Sequence, residues 1–251
     1  MRRTELEGYI NELLSVDQIG DYCPNGLQVE GGDSINTIVT GVTASQALID
    51  AAVKADADAL LVHHGYFWKS EPAAIVGMKK RRIQSLLQHE LNLFGYHLPL
   101  DVHPELGNNA QLARLMGWDD YQPLSGITPN GVVMTATLSD EMSAESLAGQ
   151  LEQVLQRALT CFVSTAQPIK RLAWCTGGGQ GYIDAAAAAG CDAFITGEVS
   201  EQTVHSAREQ GIAFYAAGHH ATERYGIKAL GEHLAKRFNL THHFIDIDNP
   251  A

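Results

Sequence analysis

The chain has 251 residues, of which 45% are hydrophobic and 18% charged, with a formal net charge of −12. That length can bury a substantial core, as one large domain or two intertwined smaller ones, and the composition is that of an ordinary soluble globular protein. The acidity weighs against a broad nucleic-acid footprint, which needs clustered Lys and Arg, so DNA contact over the outer surface is not expected.

The opening Met1-Arg2-Arg3-Thr4-Glu5-Leu6-Glu7 carries two positive charges without an apolar stretch behind them, so no signal peptide is read there. No uninterrupted apolar run approaches the length of a membrane span. The expectation is a cytoplasmic protein that does not engage a membrane. Cys23, Cys161, Cys175 and Cys191 show no C-x-x-C spacing and are read as reduced thiols. Asp21-Tyr22-Cys23-Pro24-Asn25-Gly26 reads as a turn built by Pro and Asn-Gly.

From residue 38 an internal repeat organises the chain. Ile49-Asp50-Ala51-Ala52 matches Ile183-Asp184-Ala185-Ala186, and Asp58-Ala59 matches Asp192-Ala193, at one constant offset without a gap. Each copy starts with a short apolar run, Ile38-Val39 or Leu172-Ala173-Trp174-Cys175, and passes a Gly/Thr/Ser turn into an Ala-rich helical segment. A second apolar run then ends abruptly in polar residues. Continuous apolar runs separated by helical segments predict parallel strands covered on both faces, with ligands at the strands' carboxyl ends. The fold class is therefore α/β: two similar, intertwined α/β/α domains from a duplicated βαβ unit, with mostly parallel sheets.

The first copy ends in Ala59-Leu60-Leu61-Val62 followed by His63-His64-Gly65; at the same offset, Gly197 and Glu198 stand for the two histidines. Lys79-Lys80-Arg81-Arg82 is read as the start of a solvated helix. A third strand, Leu91–Tyr96, leads into His97-Leu98-Pro99-Leu100-Asp101, where Pro99 constrains the post-strand loop. Pro123, Gly126, Pro129 and Gly131 mark a boundary near residue 125. The expected division is a first domain over 1–125, completed by about 219–251, and a second over 126–218. Within the second, 131–138 reads as a strand, Ser143 caps a helix to about Ala158 with Leu147, Leu151 and Leu155 on one face, and Cys161-Phe162-Val163 is a further strand. Thr176-Gly177-Gly178-Gly179-Gln180-Gly181 lacks the P-loop Lys. It is a tight βα turn or an anion cradle at a helix N-terminus, with Gly177, Gly178 and Gly179 as its backbone donors. The last strand of the second copy, 212–217, runs into Gly218-His219-His220-Ala221-Thr222-Glu223; residues 244–247 alternate as an edge strand.

A histidine pair at a strand end is either one packed and one exposed ring, or a pair of metal ligands. Neighbouring residues on a strand face opposite ways, so one ion fits both poorly and two adjacent ions fit better. His219 and Glu223 stand four apart on a helical face, the spacing that brings two side chains to one centre. Together His63, His64, Asp101, His219 and Glu223 offer three imidazoles and two carboxylates, a recipe for a two-metal hydrolytic site. Such a mixed set takes Zn, Fe, Mn or Ni without distinguishing them. His97 and Glu198, at neighbouring strand ends, are candidates for orienting ligands or for acid/base work. His89, His233, His242 and His243 are read as surface or structural.

The motifs LVHHG, HLPLD with HPELGNN, TGGGQ with ITGE, YAAGHHATE, and DYCPNGLQVEG near the start resemble, in this order and over essentially the whole chain, the Nif-three-like (YbgI-type) family. Its members are described as dinuclear metal-binding proteins or GTP cyclohydrolase type II homologues. The resemblance implies a pair of similar α/β domains and a toroidal homohexamer whose metal pairs face an internal cavity. It places two divalent ions per chain on His63, His64, Asp101, His219 and Glu223. It also implies a metal-dependent hydrolase using a metal-bound hydroxide, with a nucleotide or phosphorylated small molecule as the substrate class. The alternative is a non-catalytic metal binder, a metallochaperone or a ring-shaped scaffold for a protein or DNA partner. Other branches carry a large central insertion where this chain has only the block at 124–168, so functions resting on that insertion do not transfer.

Overall fold

A computed structural model describes residues 1–251. The first half runs α1 (Arg3–Leu13), β1 (Gly26–Val29), β2 (Thr37–Thr43), α2 (Gln46–Lys54), β3 (Ala59–His64), α3 (Gly77–Gln88), β4 (Asn92–Gly95), α4 (Leu98–Asp101) and α5 (Asn108–Met116). Then come β5 (Gln122–Pro123), β6 (Met134–Met142), α6 (Ala144–Leu155), β7 (Cys161–Val163), β8 (Ile169–Cys175), α7 (Ile183–Ala188) and β9 (Ala193–Thr196). The chain closes with α8 (Glu201–Gln210), β10 (Ala213–Ala216), α9 (His219–Phe238) and β11 (Thr241–Phe244). It forms two compact units, Met1–Leu106 with Gly226–Asp248, and Gly107–Tyr225 with Asn249–Ala251. No helix is long and apolar enough to cross a membrane.

The first unit is built on a five-stranded sheet in the order β1-β4-β3-β2-β11, parallel except for antiparallel β1. Both faces are covered, which is why β3 reads as an unbroken apolar run: Ala59, Leu60, Leu61 and Val62 are all fully buried. Alternation sends Ile38, Leu61 and Phe94 to one face, packed with Leu6 and Ile10 of α1 and Ile227, Leu230 and Leu234 of α9. Val39, Leu60, Val62 and Leu93 face the other way, onto Leu48 and Ile49 of α2 and Ile83 and Leu86 of α3.

The second unit carries a six-stranded sheet in the order β5-β6-β8-β9-β10-β7. Here only β8–β9 and β9–β10 are parallel; β5–β6, β6–β8 and β7–β10 are antiparallel. This sheet is mixed rather than mostly parallel, because the block between the repeats adds β5, β6 and β7, which pair antiparallel with β6, β8 and β10. Its core gathers Leu147, Leu151 and Leu155 of α6 with Leu172, Trp174, Ile195 and Tyr215. Helix α6 starts as expected, with Ser143 Oγ accepting from Ser146 N at 3.1 Å, and stops at Gln156 in the left-handed region, φ 57°.

The duplication is structural as well as sequential. Asp58 Oδ2 accepts the amides of Asn36 and Thr37 at 2.7 and 2.8 Å, tying the start of β2 to the start of β3. Asp192 Oδ2 accepts the amides of Lys170 and Arg171 at 3.0 and 2.7 Å, doing the same for β8 and β9. The parallel registers agree too: Ile38 faces Ala59, and Leu172 faces Ala193.

Three expectations shift. The first boundary falls at Leu106/Gly107 rather than near 125, and the second inside α9 at Tyr225/Gly226 rather than before His219. Leu112 and Ala113 of α5 belong to the second core, and the Pro/Gly-rich stretch near 125 leads into the β5–β6 pair. The terminal strand is Thr241–Phe244, an edge strand parallel to β2, and it ends where the alternation was read to begin. In the basic run on α3, Lys79 is buried, 3.5 Å from Glu71 and over the Phe67 ring, so only part of that cluster is solvated.

Candidate metal centre

In the first unit the chemistry sits at the carboxyl ends of β3 and β4. His63 is fully buried, and its Nδ1 lies 2.9 Å from the Tyr96 carbonyl. A carbonyl only accepts, so Nδ1 carries a proton and donates, and in the neutral ring Nε2 presents its lone pair. That nitrogen lies 3.5 Å from Oδ1 of buried Asp101. His64 is half-buried; its register partner is Thr43, whose Oγ1 lies 3.2 Å from His64 Nδ1. The two rings do not diverge as strand alternation suggests. At the strand's end their centroids are 4.6 Å apart, tilted by 43°. Gly65 follows because a Cβ there, or at Gly95, would overlap the Gln28 side chain, whose Oε1 accepts Tyr66 N at 2.7 Å.

Beyond β4, α4 is a single turn opened by His97, whose carbonyl accepts Asp101 N at 3.1 Å. Pro99 fits this first turn, where no helical partner awaits its missing N–H. His97 is buried and donates from Nδ1 to Asp21, 3.0 and 3.2 Å from the two carboxylate oxygens. Asp21 also accepts the amides of Tyr22 and Leu98 and the Asn25 side chain, while Asn25 Oδ1 accepts His97 N at 2.7 Å. Burial works against the Asp21 charge, yet the hydrogen bonds from His97 and Asn25 win and hold its pKa at about 2. The Cys23 thiol beside it is pushed up to about 12, first by burial and then by the Asp21 charge. Cys23 is a neutral thiol here, unsuited to act as a nucleophile.

In the second unit, β10 ends at Ala216, and two residues on, at Gly218, φ 97°, the chain turns into α9 with His219 as its first residue. One turn on, Glu223 is buried with an oxygen 3.1 Å from His219 Nε2. His219 Nδ1 donates to Glu198 Oε1 at 2.7 Å, from the loop after β9. Burial disfavours the imidazolium, but Glu223 and then Glu198 outweigh it and raise the His219 pKa to about 9. A Cβ on Gly177 would collide with the Glu223 carboxylate, and one on Gly197 with the His219 backbone. The glycines therefore admit the turn that carries His219 and Glu223. The amides of Gly177 and Gly179 donate to Thr222 Oγ1 and Thr196 Oγ1 at 2.9 and 3.0 Å, while Gly178 lies beside the Glu198 carboxylate. An anion at this turn would meet two carboxylates, so the geometry serves close packing.

The structure thus assembles His63, His64, His97 and Asp101 in one unit, and His219, Glu223 and Glu198 in the other. Asp21 and Thr43 were missed as supporting residues, since a turn Asp and a strand Thr carry no local signal of which ring they will meet. Of the remaining histidines, His233 pairs with the Tyr9 hydroxyl at 2.7 Å and His242 with Thr40 Oγ1 at 2.8 Å, both structural.

The donor set fits divalent cations. Each of these imidazoles is hydrogen-bonded at Nδ1 to a group behind it, a carbonyl or carboxylate for His63, His97 and His219 and the Thr43 hydroxyl for His64. This is the arrangement that orients metal-binding histidines, and two buried carboxylates lie against them. The model of the Duf34/NIF3 (NGG1p interacting factor 3) family matches residues 1–250. A Haemophilus influenzae protein named GTP cyclohydrolase 1 type 2 homolog is 60% identical over 252 residues, covering both chains completely. A solved structure described as protein ybgI, of unknown function, superposes with a TM-score of 0.95 at 55% identity, again over both whole chains. The Thermus thermophilus protein TTHA1606 superposes at 0.91 with 34% identity and full coverage of both.

Proposed function

Because this chain belongs to the Duf34/NIF3 family, we propose that it is a dinuclear metal-binding protein working as a metal-dependent hydrolase. Its substrate class is a nucleotide or another phosphorylated small molecule, in keeping with the name its relatives carry. The observation that carries the reading is the shared anchoring of His63, His64 and His219 through Nδ1, beside Asp101 and Glu223. His63, His64, Asp101, His219 and Glu223 would hold two divalent ions. When bound, such ions lower the pKa of water towards neutrality and stabilise negative charge developing on a substrate oxygen.

The chain's own groups do the rest. The Tyr96 carbonyl and Thr43 hydroxyl fix the rings of His63 and His64. Glu198, half-exposed and bound to Gln180 Nε2 at 3.3 Å, holds the His219 Nδ1 proton and stands ready to take or return a proton to a ligand in solvent. His97, with Asp21 fixing its tautomer, is the corresponding group in the first unit. The family resemblance also supports a homohexamer, which sedimentation would read directly.

The test is elemental analysis of protein purified without added metal, followed by turnover assays on nucleotides, phosphoesters and cyclic amides. Two equivalents per chain are expected, with turnover at least about a hundredfold lower in His63→Ala and Glu223→Ala. Unchanged turnover in both variants would sink the hydrolase. Metal delivery to an apo-acceptor without turnover would favour a metallochaperone.

A further inference from the structure

The two units end their third parallel strand in the same way. Strand β4 leads to His97, which opens α4 and stands four residues before Asp101; β10 leads to His219, which opens α9 and stands four residues before Glu223. Each of these two histidines donates its Nδ1 proton to a carboxylate, Asp21 or Glu198. His97 therefore occupies in the first copy the place that His219 holds in the second. It is buried where His219 is half-buried, and its ring centroid lies 5.0 Å from His63 and 5.8 Å from His64. Tyr22 and Trp68 set their rings edge-on to His97 at 5.2 and 4.9 Å and fix its plane.

We propose that His97 is a third nitrogen donor, and that His63, His64 and His97 form a three-imidazole site that binds one borderline divalent cation within the first unit. This rests on the reading of that sheet edge as a metal centre, and it gives His97 a role beyond handling protons. Three nitrogens around a tetrahedral zinc at about 2.0–2.1 Å stand roughly 3.4 Å from one another. One ring nitrogen from each residue already lies within 4.8 Å of the other two, so small ring rotations gather them. An all-imidazole set selects Zn, Ni, Co or Cu over Mg or Mn. The site is a loading position: it takes the first ion without the donors of the second unit.

The experiment uses the full chain carrying His219→Ala and Glu223→Ala, stripped of metal and titrated with zinc beside the wild type. The double variant is expected to bind one zinc per chain, with three imidazoles in its X-ray absorption spectrum, and to lose that zinc when His97→Ala is added. Asp21→Asn should weaken the same zinc by about 10- to 100-fold, through the lost orientation of the His97 ring. No zinc in the double variant, or zinc held by two imidazoles or fewer, overturns the proposal. If the wild type then still binds two, the dinuclear reading survives. One zinc on three imidazoles in both proteins would keep the proposal and remove the dinuclear reading. Should the double variant not fold, His97→Ala in the otherwise native chain decides: the first zinc weakens at least about tenfold, and unchanged affinity refutes the third donor.

Discussion

His219 is the residue whose protonation reports most directly on the centre. Its pKa of about 9 in the metal-free protein comes from Glu223 and Glu198 overcoming burial. Raised above the ordinary 6.5, that pKa makes the charged pair a stabilising feature that is complete below pH 6.5. The contribution fades as pH rises through about 9. The same proton competes with a cation for Nε2, so metal affinity should climb by up to about tenfold per pH unit until pH 9 and then level off. Replacing Glu198 by Gln should bring the His219 titration, followed by NMR, back towards neutrality and move that plateau to lower pH. A plateau that stays near 9 would show that Glu198 does not govern the ring. All five proposed ligands were readable in the chain from residue type, strand-end position and spacing. The acceptors behind them were less so. Asp21 lies 76 residues before the ring it orients, and only the folded sheet brings them together.

At the scale of elements, the glycine turn between β8 and α7 shows how backbone and ligand are coupled. Gly177 has φ 65°, and a Cβ there would enter the space of the Glu223 carboxylate. Gly177→Ala should cost roughly 1–2 kcal/mol from the left-handed backbone alone. It should also displace Glu223, reducing bound metal from two equivalents to one. Thermal unfolding and elemental analysis of the variant check both, and wild-type metal content would show that the turn does not shape the ligand. The duplicated strand-helix-strand units were legible because apolar runs and Ala-rich helices are local signals. The mixed character of the second sheet was not. Strands β6 and β7 read correctly as strands, but their partners β8 and β10 are chosen by long-range packing of Trp174 and Tyr215 around α6.

For the whole molecule, the proposed ion binding would tie stability to metal. A cation at a hundred times its Kd, bound only by the native state, adds about 2.7 kcal/mol. Adding zinc to stripped protein should raise the melting temperature, a chelator should reverse the rise, and His63→Ala should blunt it. A melting temperature indifferent to both additions would argue against any native-state ion. The domain limits were the least legible feature, because one limit falls inside α9, where no linker composition marks it. That helix carries His219 and Glu223 in the second unit and gives Ile227, Leu230 and Leu234 to the core of the first. The paired carboxylates Asp58 and Asp192 carry a consequence for how the chain finds this fold. Each closes a loop to amides 21 and 22 residues earlier, with the same separations in both copies. Loop closure over so short a span costs little entropy compared with bringing in β1 or β11. The polypeptide thus holds two equivalent nucleation points, and the strands that present His63, His64 and the approach to Glu198 are among the first that can order during refolding.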